Sequence, residues 1–294
     1  MPSASDTRSF SEHDLLGFCH IEKAAGTSLI HVFRRLFFLR YAAVRPLHAE
    51  SGHEFTSRDL RTVLRCNPLL RAFGGHAVVP HGDLDDFDRN VRYVTQLREP
   101  VARVLSQYRF WRSRMGKSMS VDEFLEDPTT RDYQVRKIAG SDDLELAKRT
   151  ILDKFLLVGT VDQFDEFLVL LAGLLQRPVD DFTYVRKNVA TEAGALRDAP
   201  EIETRIARQN RLDAELYRWV RDELLETYVE RHDGDFESEL RRFRARQDRH
   251  SPHRLRLLVD YLYRNAYWKP LTGLIRVRNG LPYFGSYAFR PRGA

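Results

Sequence analysis

Between residues 15 and 37 the chain passes from an apolar stretch, Leu15–His20 (LLGFCH), through a small-residue loop, Lys23–Ser28 (KAAGTS), into a segment with helical apolar spacing. Leu29, Ile30, Phe33, Leu36 and Phe37 carry that spacing. No other feature constrains the fold as much. A short unbroken apolar run reads as a buried strand, and strands that feed helices belong to a parallel sheet. The loop has a chemical consequence too. The first N–H groups of a helix lack partners, and the macrodipole puts about half a positive charge there. A strand, a tight loop and a helix N-terminus therefore form a general anion site. Lys23 stands at its entrance, Ala24, Ala25 and Gly26 let an anion approach the backbone, and Thr27 and Ser28 add hydroxyls. His20 is expected to pack beside the loop. In a nucleoside-triphosphate loop Lys directly precedes Ser or Thr, whereas here Lys23 precedes the small residues, so the Mg-nucleotide inference does not follow.

Two further strands are expected, at Val91–Leu97 (VRYVTQL) and Phe155–Val158 (FLLV). Pro100 opens a helix whose apolar face is Val101, Val104, Leu105 and Tyr108. Arg98 sits at the end of the preceding strand, facing the crevice where such sheets bind ligands. Ser106 follows about two helical turns later. A guanidinium fork and a hydroxyl suit a phosphate. Helices are also expected over 57–66 with Ser57 as N-cap, 121–126, 130–139, 142–154, 162–175 and 199–231. Gly74-Gly75-His76, Pro80-His81-Gly82 and residues 185–198 read as loops.

The 294 residues, 43% hydrophobic and 30% charged, exclude collagen-like and wholly disordered chains. No apolar run reaches membrane-spanning length. Two cysteines make no disulfide framework, and the polar start has no secretory pattern, so a cytoplasmic setting is expected. Residues 251–294 carry eight basic residues and one acid, a net +7; the whole chain is +5, which leaves −2 for the rest. A near-neutral body argues against a nucleic-acid partner. Tyr261, Tyr263, Tyr267, Trp268, Tyr283, Phe284, Tyr287 and Phe289 punctuate that basic tail, and Asn279-Gly280 suggests a hairpin between LIRV and LPYF. Three readings stay open for the tail: peripheral contact with an anionic inner membrane face or lipid-linked glycan, an aromatic wall for sugars, or packing against the body or a second subunit.

His20-Ile-Glu-Lys-Ala-Ala-Gly-Thr-Ser28, followed by Leu97-Arg-Glu-Pro-Val-Ala-Arg-Val-Leu-Ser-Gln-Tyr108, resembles the PAPS-dependent sulfotransferases. The likeness is to the carbohydrate branch of the 2-O-sulfotransferase type and its bacterial relatives. It extends through Tyr133-Gln134-Val-Arg136, Ala147-Lys148 to Val158-Gly159, and Asn210-Arg-Leu-Asp213 with Leu216-Tyr217.

The resemblance implies an α/β, P-loop-like parallel sheet flanked by helices, with a helical C-terminal half and a basic aromatic tail. It implies a sulfotransferase domain over 14–250; the residues themselves read as a disordered leader over 1–13 and a basic aromatic extension over 251–294 that has no counterpart in the family. The implied donor is PAPS, leaving PAP as product and requiring no metal. Lys23 and the backbone through Ser28 would hold the 5′ end, and Arg98 with Ser106 the 3′-phosphate. Arg186, Lys187 and Asn188 would add cofactor contacts. His76 would be the general base toward a carbohydrate or glycolipid hydroxyl, with His81 and His53 next in line. Gln134, Arg136 and His81 would touch the acceptor. Glu22 replaces the family's proline, and it is expected to point outward because its neighbour Lys23 must face the ligand. The rival functions are a nucleotide-dependent kinase or NTPase and a non-catalytic module binding polyanions or membranes.

Overall fold

A computed structural model describes residues 10–116, 118–184, 200–247 and 254–284. Five strands form one parallel sheet: β1 (Leu15–Cys19), β2 (Tyr41–Ala43), β3 (Ala72–Gly75), β4 (Val91–Leu97) and β5 (Phe155–Thr160). Their order is β2-β3-β1-β4-β5, with β1 at the centre. Helix α1 (Gly26–Phe37) leaves β1, α2 (Ser57–Cys66) precedes β3, and α3 (Pro100–Arg114) leaves β4. Next come α4 (Val121–Glu126), α5 (Tyr133–Ala139), α6 (Leu144–Lys154) and, after β5, α7 (Phe164–Leu174). The carboxy-terminal half is helical: α8 (Pro200–Gln209), α9 (Arg211–Trp219), α10 (Leu225–Glu230), α11 (Phe236–Gln247), α12 (Arg254–Leu262) and α13 (Lys269–Arg278). The fold is the helix-flanked parallel α/β sheet that the strand–loop–helix unit predicts.

Every residue of β1 is buried, because both faces of the sheet are covered. The two-residue period of a strand divides its side chains between two cores. Leu15 and Cys19 join Val135, Ile138, Ile151 and Leu216 on one face. Leu16 and Phe18 meet Leu29, Phe33, Phe167 and Phe243 on the other. The helix ends follow local chemistry. Pro100 occupies the first turn of α3, and the Glu99 carboxylate accepts the Val101 and Ala102 N–H groups at 3.0 and 2.7 Å. At α2 the N-cap is Thr56 rather than Ser57, because Thr56 and Asp59 close a reciprocal capping box.

Three expectations need correction. Gly74-Gly75 is strand β3, not loop. Both glycines are packing requirements: a Cβ on Gly74 would lie 2.7 Å from Phe18 Cβ, and one on Gly75 would lie 2.3 Å from the Val44 carbonyl oxygen. Strand β2, three residues long, carried no period to read. The Asn279-Gly280 pair makes no hairpin. A continuous helical arm runs over 254–278, through a π segment at Tyr263–Trp268. Gly280, with φ 76°, ends it: the Leu281 and Gly280 N–H groups return to the Arg276 and Val277 carbonyls at 2.9 and 3.1 Å. The leader, expected to be disordered to residue 13, is tied down from Phe10. Arg71 donates to the Glu12 and Ser11 carbonyls, the latter at 2.9 Å, and its guanidinium lies 5.3 Å from the Phe10 ring.

The arm packs on the body, as the third reading of the tail had it. Trp268 is buried and its Nε1 donates to the Ala43 carbonyl at 3.0 Å, at the end of β2. Arg276 is fully buried, bonded to the Pro46 carbonyl and, at 3.0 Å, to that of Pro282. Asn279 Nδ2 reaches the Leu47 carbonyl at 2.9 Å. Tyr287 and Phe289 lie outside the described residues.

Candidate active site

In an open parallel sheet, ligands bind beyond the carboxyl ends of the strands, where the strand order reverses. Here that point is β1, flanked by β3 and β4. Three loops leave these adjacent strand ends: His20–Ala25 after β1, His76 after β3 and Arg98 after β4. Cys19 pairs with Gly75, and the Thr95 hydroxyl donates to the Cys19 carbonyl at 2.7 Å, so the three ends are held level.

The first loop is tightly wound. Lys23 and Ala25 both take left-handed backbone conformations, at φ 68° and 54°. Such turns aim successive N–H groups inward, the arrangement that receives anions. Gly26 opens α1 against the His20 ring; a Cβ there would sit 1.8 Å from His20 Nε2, so no larger residue fits. Arg98 Nη1 donates to the Lys23 carbonyl at 3.0 Å, which joins the two motifs directly. The Lys23 ammonium lies 4.4 Å from the centre of the Phe110 ring on α3. Thr27 is exposed, and Ser28 and Ser106 are half-buried, on the first turn of α1 and the second of α3.

His76 and His20 stack at 4.1 Å, and His20 stacks on Phe18 at 5.1 Å. Burial, helped by neighbouring His76, pushes His20 down to about 3, so it stays neutral, as packing beside the loop requires. His76 is the accessible member, with 40% of its side chain exposed and Nδ1 lying 3.1 Å from Glu22 Oε1.

Glu22 therefore points inward, against expectation. The alternation of an extended chain fails at this step because Lys23 is left-handed, so neighbouring side chains need not oppose. The other Glu22 oxygen accepts the Tyr133 hydroxyl. Burial would raise this carboxyl, but Lys137, then His76 and Tyr133, outweigh it and hold Glu22 well below the carboxylate range. Lys137 is completely buried and donates to the His76 carbonyl; burial pulls it below the usual lysine value while Glu22 opposes that pull. Burial also pushes the Cys19 thiol up to about 12, which removes it as a nucleophile.

The remaining expected site residues separate. Gln134 is fully buried, and its amide clamps Arg98: Oε1 accepts the Arg98 N–H and Nε2 donates to the Arg98 carbonyl, both at 2.9 Å. The structure makes it a positioning residue rather than an acceptor contact. Arg136 pairs with Asp142 at 2.7 Å and bonds the Pro128 carbonyl at 2.9 Å. His81 packs against Gly140, where a Cβ would meet its ring at 2.9 Å. His53 is exposed ahead of α2. Arg186, Lys187 and Asn188 lie outside the described residues.

Sequence reasoning missed the supports beneath the crevice. The fully buried Asp213 accepts the Gln134 and Val135 N–H groups at 2.9 and 2.8 Å, so it caps α5 and sets Gln134 against Arg98. Asn210 accepts the Asp132 N–H at 3.1 Å. The Asn210…Asp213 stretch was thus visible as a motif, but its task was not. Burial, with Arg103 opposing, raises Asp213 to about 6. Lys137 gave no signal: in an apolar helical run a lysine reads as surface.

Among the described residues, no group of three His, Cys, Asp or Glu could hold a metal ion, and no helix is long and apolar enough to cross a membrane. The donor set suits an anionic nucleotide: Lys23 and Arg98 meet at a left-handed loop that opens α1, while the Glu22 carboxylate accepts the Tyr133 hydroxyl and lies 3.1 Å from His76.

Fold and site define a parallel α/β protein with a crevice at its central strand, lined by Lys23, His76 and Arg98. Residues 132–256 match the family model described as Galactose-3-O-sulfotransferase. Galactose-3-O-sulfotransferase 3 of Bos taurus is 26% identical over 249 residues, covering 74% of this chain and 58% of that protein. The Mus musculus and Homo sapiens proteins of the same name are each 27% identical, over 240 and 239 residues, covering 70% of this chain and 55% of theirs. The chain spans a little over half the length of these relatives. Together the matches support a carbohydrate sulfotransferase family for this chain, the family its two motifs resemble. They name a 3-O position on galactose and do not speak for the 2-O branch.

Proposed function

We propose that the protein transfers the sulfuryl group of PAPS to a carbohydrate hydroxyl, with a galactose-bearing glycan as acceptor. The observation that carries this reading is the convergence of Lys23, Arg98 and His76 from the ends of three adjacent strands. PAPS, when bound, supplies an activated sulfuryl group. The chain's own residues would meet the demands of transfer in a simple division. The Lys23 ammonium and the first turn of α1 stabilise negative charge that grows on the oxygen leaving sulfur. Arg98, its backbone held by Gln134, fixes the far phosphate, and Ser106 adds a hydroxyl from α3, the helix that follows. His76 takes the proton from the acceptor hydroxyl as it attacks. Glu22 lies on the Nδ1 side of that ring, which favours a proton on Nδ1 and leaves Nε2 to accept.

The acceptor in this reading rests on the relatives' names, since those proteins are called galactose-3-O-sulfotransferases. Peripheral contact with an anionic membrane is a further part of the proposal. It is supported by the exposed Leu258, Tyr261, Leu262 and Leu274 on the basic arm.

Calorimetry with PAP, 5′-AMP and ATP, without metal, tests the donor. Binding of PAP that depends on its 3′-phosphate is the expected result. No preference for PAP, with ATP bound only after magnesium is added, would favour the kinase reading instead.

A further inference from the structure

A lysine that is to meet charge developing on one oxygen must keep its ammonium in one place, yet it sits on a flexible four-carbon stem with much rotamer freedom to lose. Two holds on Lys23 come from one stretch of chain. Arg98, just past β4, donates to the Lys23 carbonyl at 3.0 Å. Phe110, about three turns into α3, has its ring centre 4.4 Å from the Lys23 ammonium.

Phe110 is placed differently from its neighbours. Val104, Leu105 and Tyr108 of the same helix are buried with Phe124, Leu125 and Ile206. Trp111, the next residue, meets Phe124 edge-on at 5.2 Å and 87°. Phe110 is 38% exposed and stands four residues after Ser106, so these two share a face of α3. A ring kept partly out of the core gains little from packing; its contact with the Lys23 ammonium gives it a different use.

The kind of partner matters. Glu22 precedes Lys23 in the chain, but one of its oxygens accepts the Tyr133 hydroxyl and the other lies 3.1 Å from His76. A carboxylate set on Lys23 would hold the ammonium and cancel its field at once. An aromatic ring attracts a cation through its quadrupole and carries no net charge. It holds the ammonium while leaving the positive charge in force for the oxygen that leaves sulfur.

We propose that Phe110 is a positioning residue, its ring holding the Lys23 ammonium where negative charge develops during transfer. The proposal rests on the sulfotransferase reading and deepens it. Arg98, Ser106 and Phe110 would then serve the crevice from one strand end and the helix it feeds.

The test is a ring series at position 110 in the full chain. Conversion of PAPS to PAP is followed with methyl β-galactoside as acceptor and, without it, with water, since the leaving oxygen is the same in both. PAP affinity is read by calorimetry, and Tm is recorded. Phe110→Leu should lower kcat about fivefold, the factor expected for one exposed cation–ring contact, with KM for PAPS and PAP affinity within about twofold of wild type. Phe110→Tyr should keep wild-type kcat. Pentafluorophenylalanine at position 110 keeps the ring's shape but withdraws negative charge from its face, so it should lose as much as leucine. A merely structural role would not separate the fluorinated ring from the natural one, and this variant decides alone if the leucine variant loses stability. In a Lys23→Ala background Phe110→Leu should cost nothing further. Unchanged kcat in Phe110→Leu, wild-type kcat with the fluorinated ring, or the same loss from Phe110→Leu when Lys23 is already replaced would overturn the proposal and leave the donor reading intact. If wild type fails to bind PAP or to convert PAPS, the donor reading falls and this proposal falls with it.

Discussion

The molecule carries positive charge in two places and uses it in opposite ways. In the crevice Lys23 and Arg98 come from strand ends and Lys137 from α5, and two of them are held by other parts of the site: Arg98 by Gln134 and the Lys23 carbonyl, Lys137 by the His76 carbonyl. On the C-terminal arm the basic residues are many, yet the fully buried Arg276 binds main-chain carbonyls, those of Pro46 on the body and Pro282 just past the arm. Trp268 and Asn279 do the same. The arm is a brace across the β2 side of the sheet, with Arg256, Lys269 and Arg278 exposed. The lesson is that charge density does not locate a site; convergence of differently placed chain segments does.

The comparison is broken most directly at His76. His76→Ala should lower PAPS-dependent turnover by roughly 10²–10⁴-fold while calorimetry shows PAP binding unchanged, as for loss of a general base. Loss of PAP binding as well would make the residue structural. The arm should answer in stability instead. Trp268→Ala should cost about 3–5 kcal/mol in denaturant unfolding, the usual penalty for emptying a buried tryptophan site, and PAP affinity should hold. A variant that lost PAP affinity with normal stability would give the arm a share in the crevice. Lys23→Ala should lower turnover about 10²–10³-fold with an unchanged Tm, on the scale of one donor to developing charge.

Acid sharpens the contrast. Folding holds the Glu22 carboxyl below its ordinary value of 4.5, so its stabilising effect is fully present above that pH and is lost as pH falls below it. Glu22→Gln should therefore flatten the acid limb of a plot of Tm against pH, and an unaltered limb would mean that Lys137 and His76 do not hold this carboxylate. The smallest effect belongs to the outer face of the arm. Leu274→Ser, at 63% exposure, should change stability by no more than about 0.5 kcal/mol. A larger loss, read by urea titration, would show that this face is covered in solution.

What was legible in the sequence was local. The run Leu15–His20, the small residues after Lys23 and the apolar spacing behind them imposed a strand, a turn and a helix, because each signal lies within a few residues of the next. Arg98 and Ser106 were legible for the same reason: one strand end and one helix fix their separation. Strand β3 was not, since its glycines are demanded by Phe18 and Val44, residues remote in sequence. Glu22 was misjudged because a left-handed Lys23 turns the chain, and only the Tyr133, Lys137 and His76 groups from other elements make an inward carboxylate stable.

By itself the sequence determined a parallel α/β sheet and a tight loop after its first strand, with Lys23 and Arg98 each just past the end of a strand. The tertiary structure alone decided that His76 stands at the same crevice, that Gln134 and Asp213 serve Arg98's backbone, and that the basic arm is a brace. The physical reason is one of range. Backbone preference and hydrophobic period act over a turn or a strand, whereas the pairing of a buried charge depends on groups that meet only when distant segments pack.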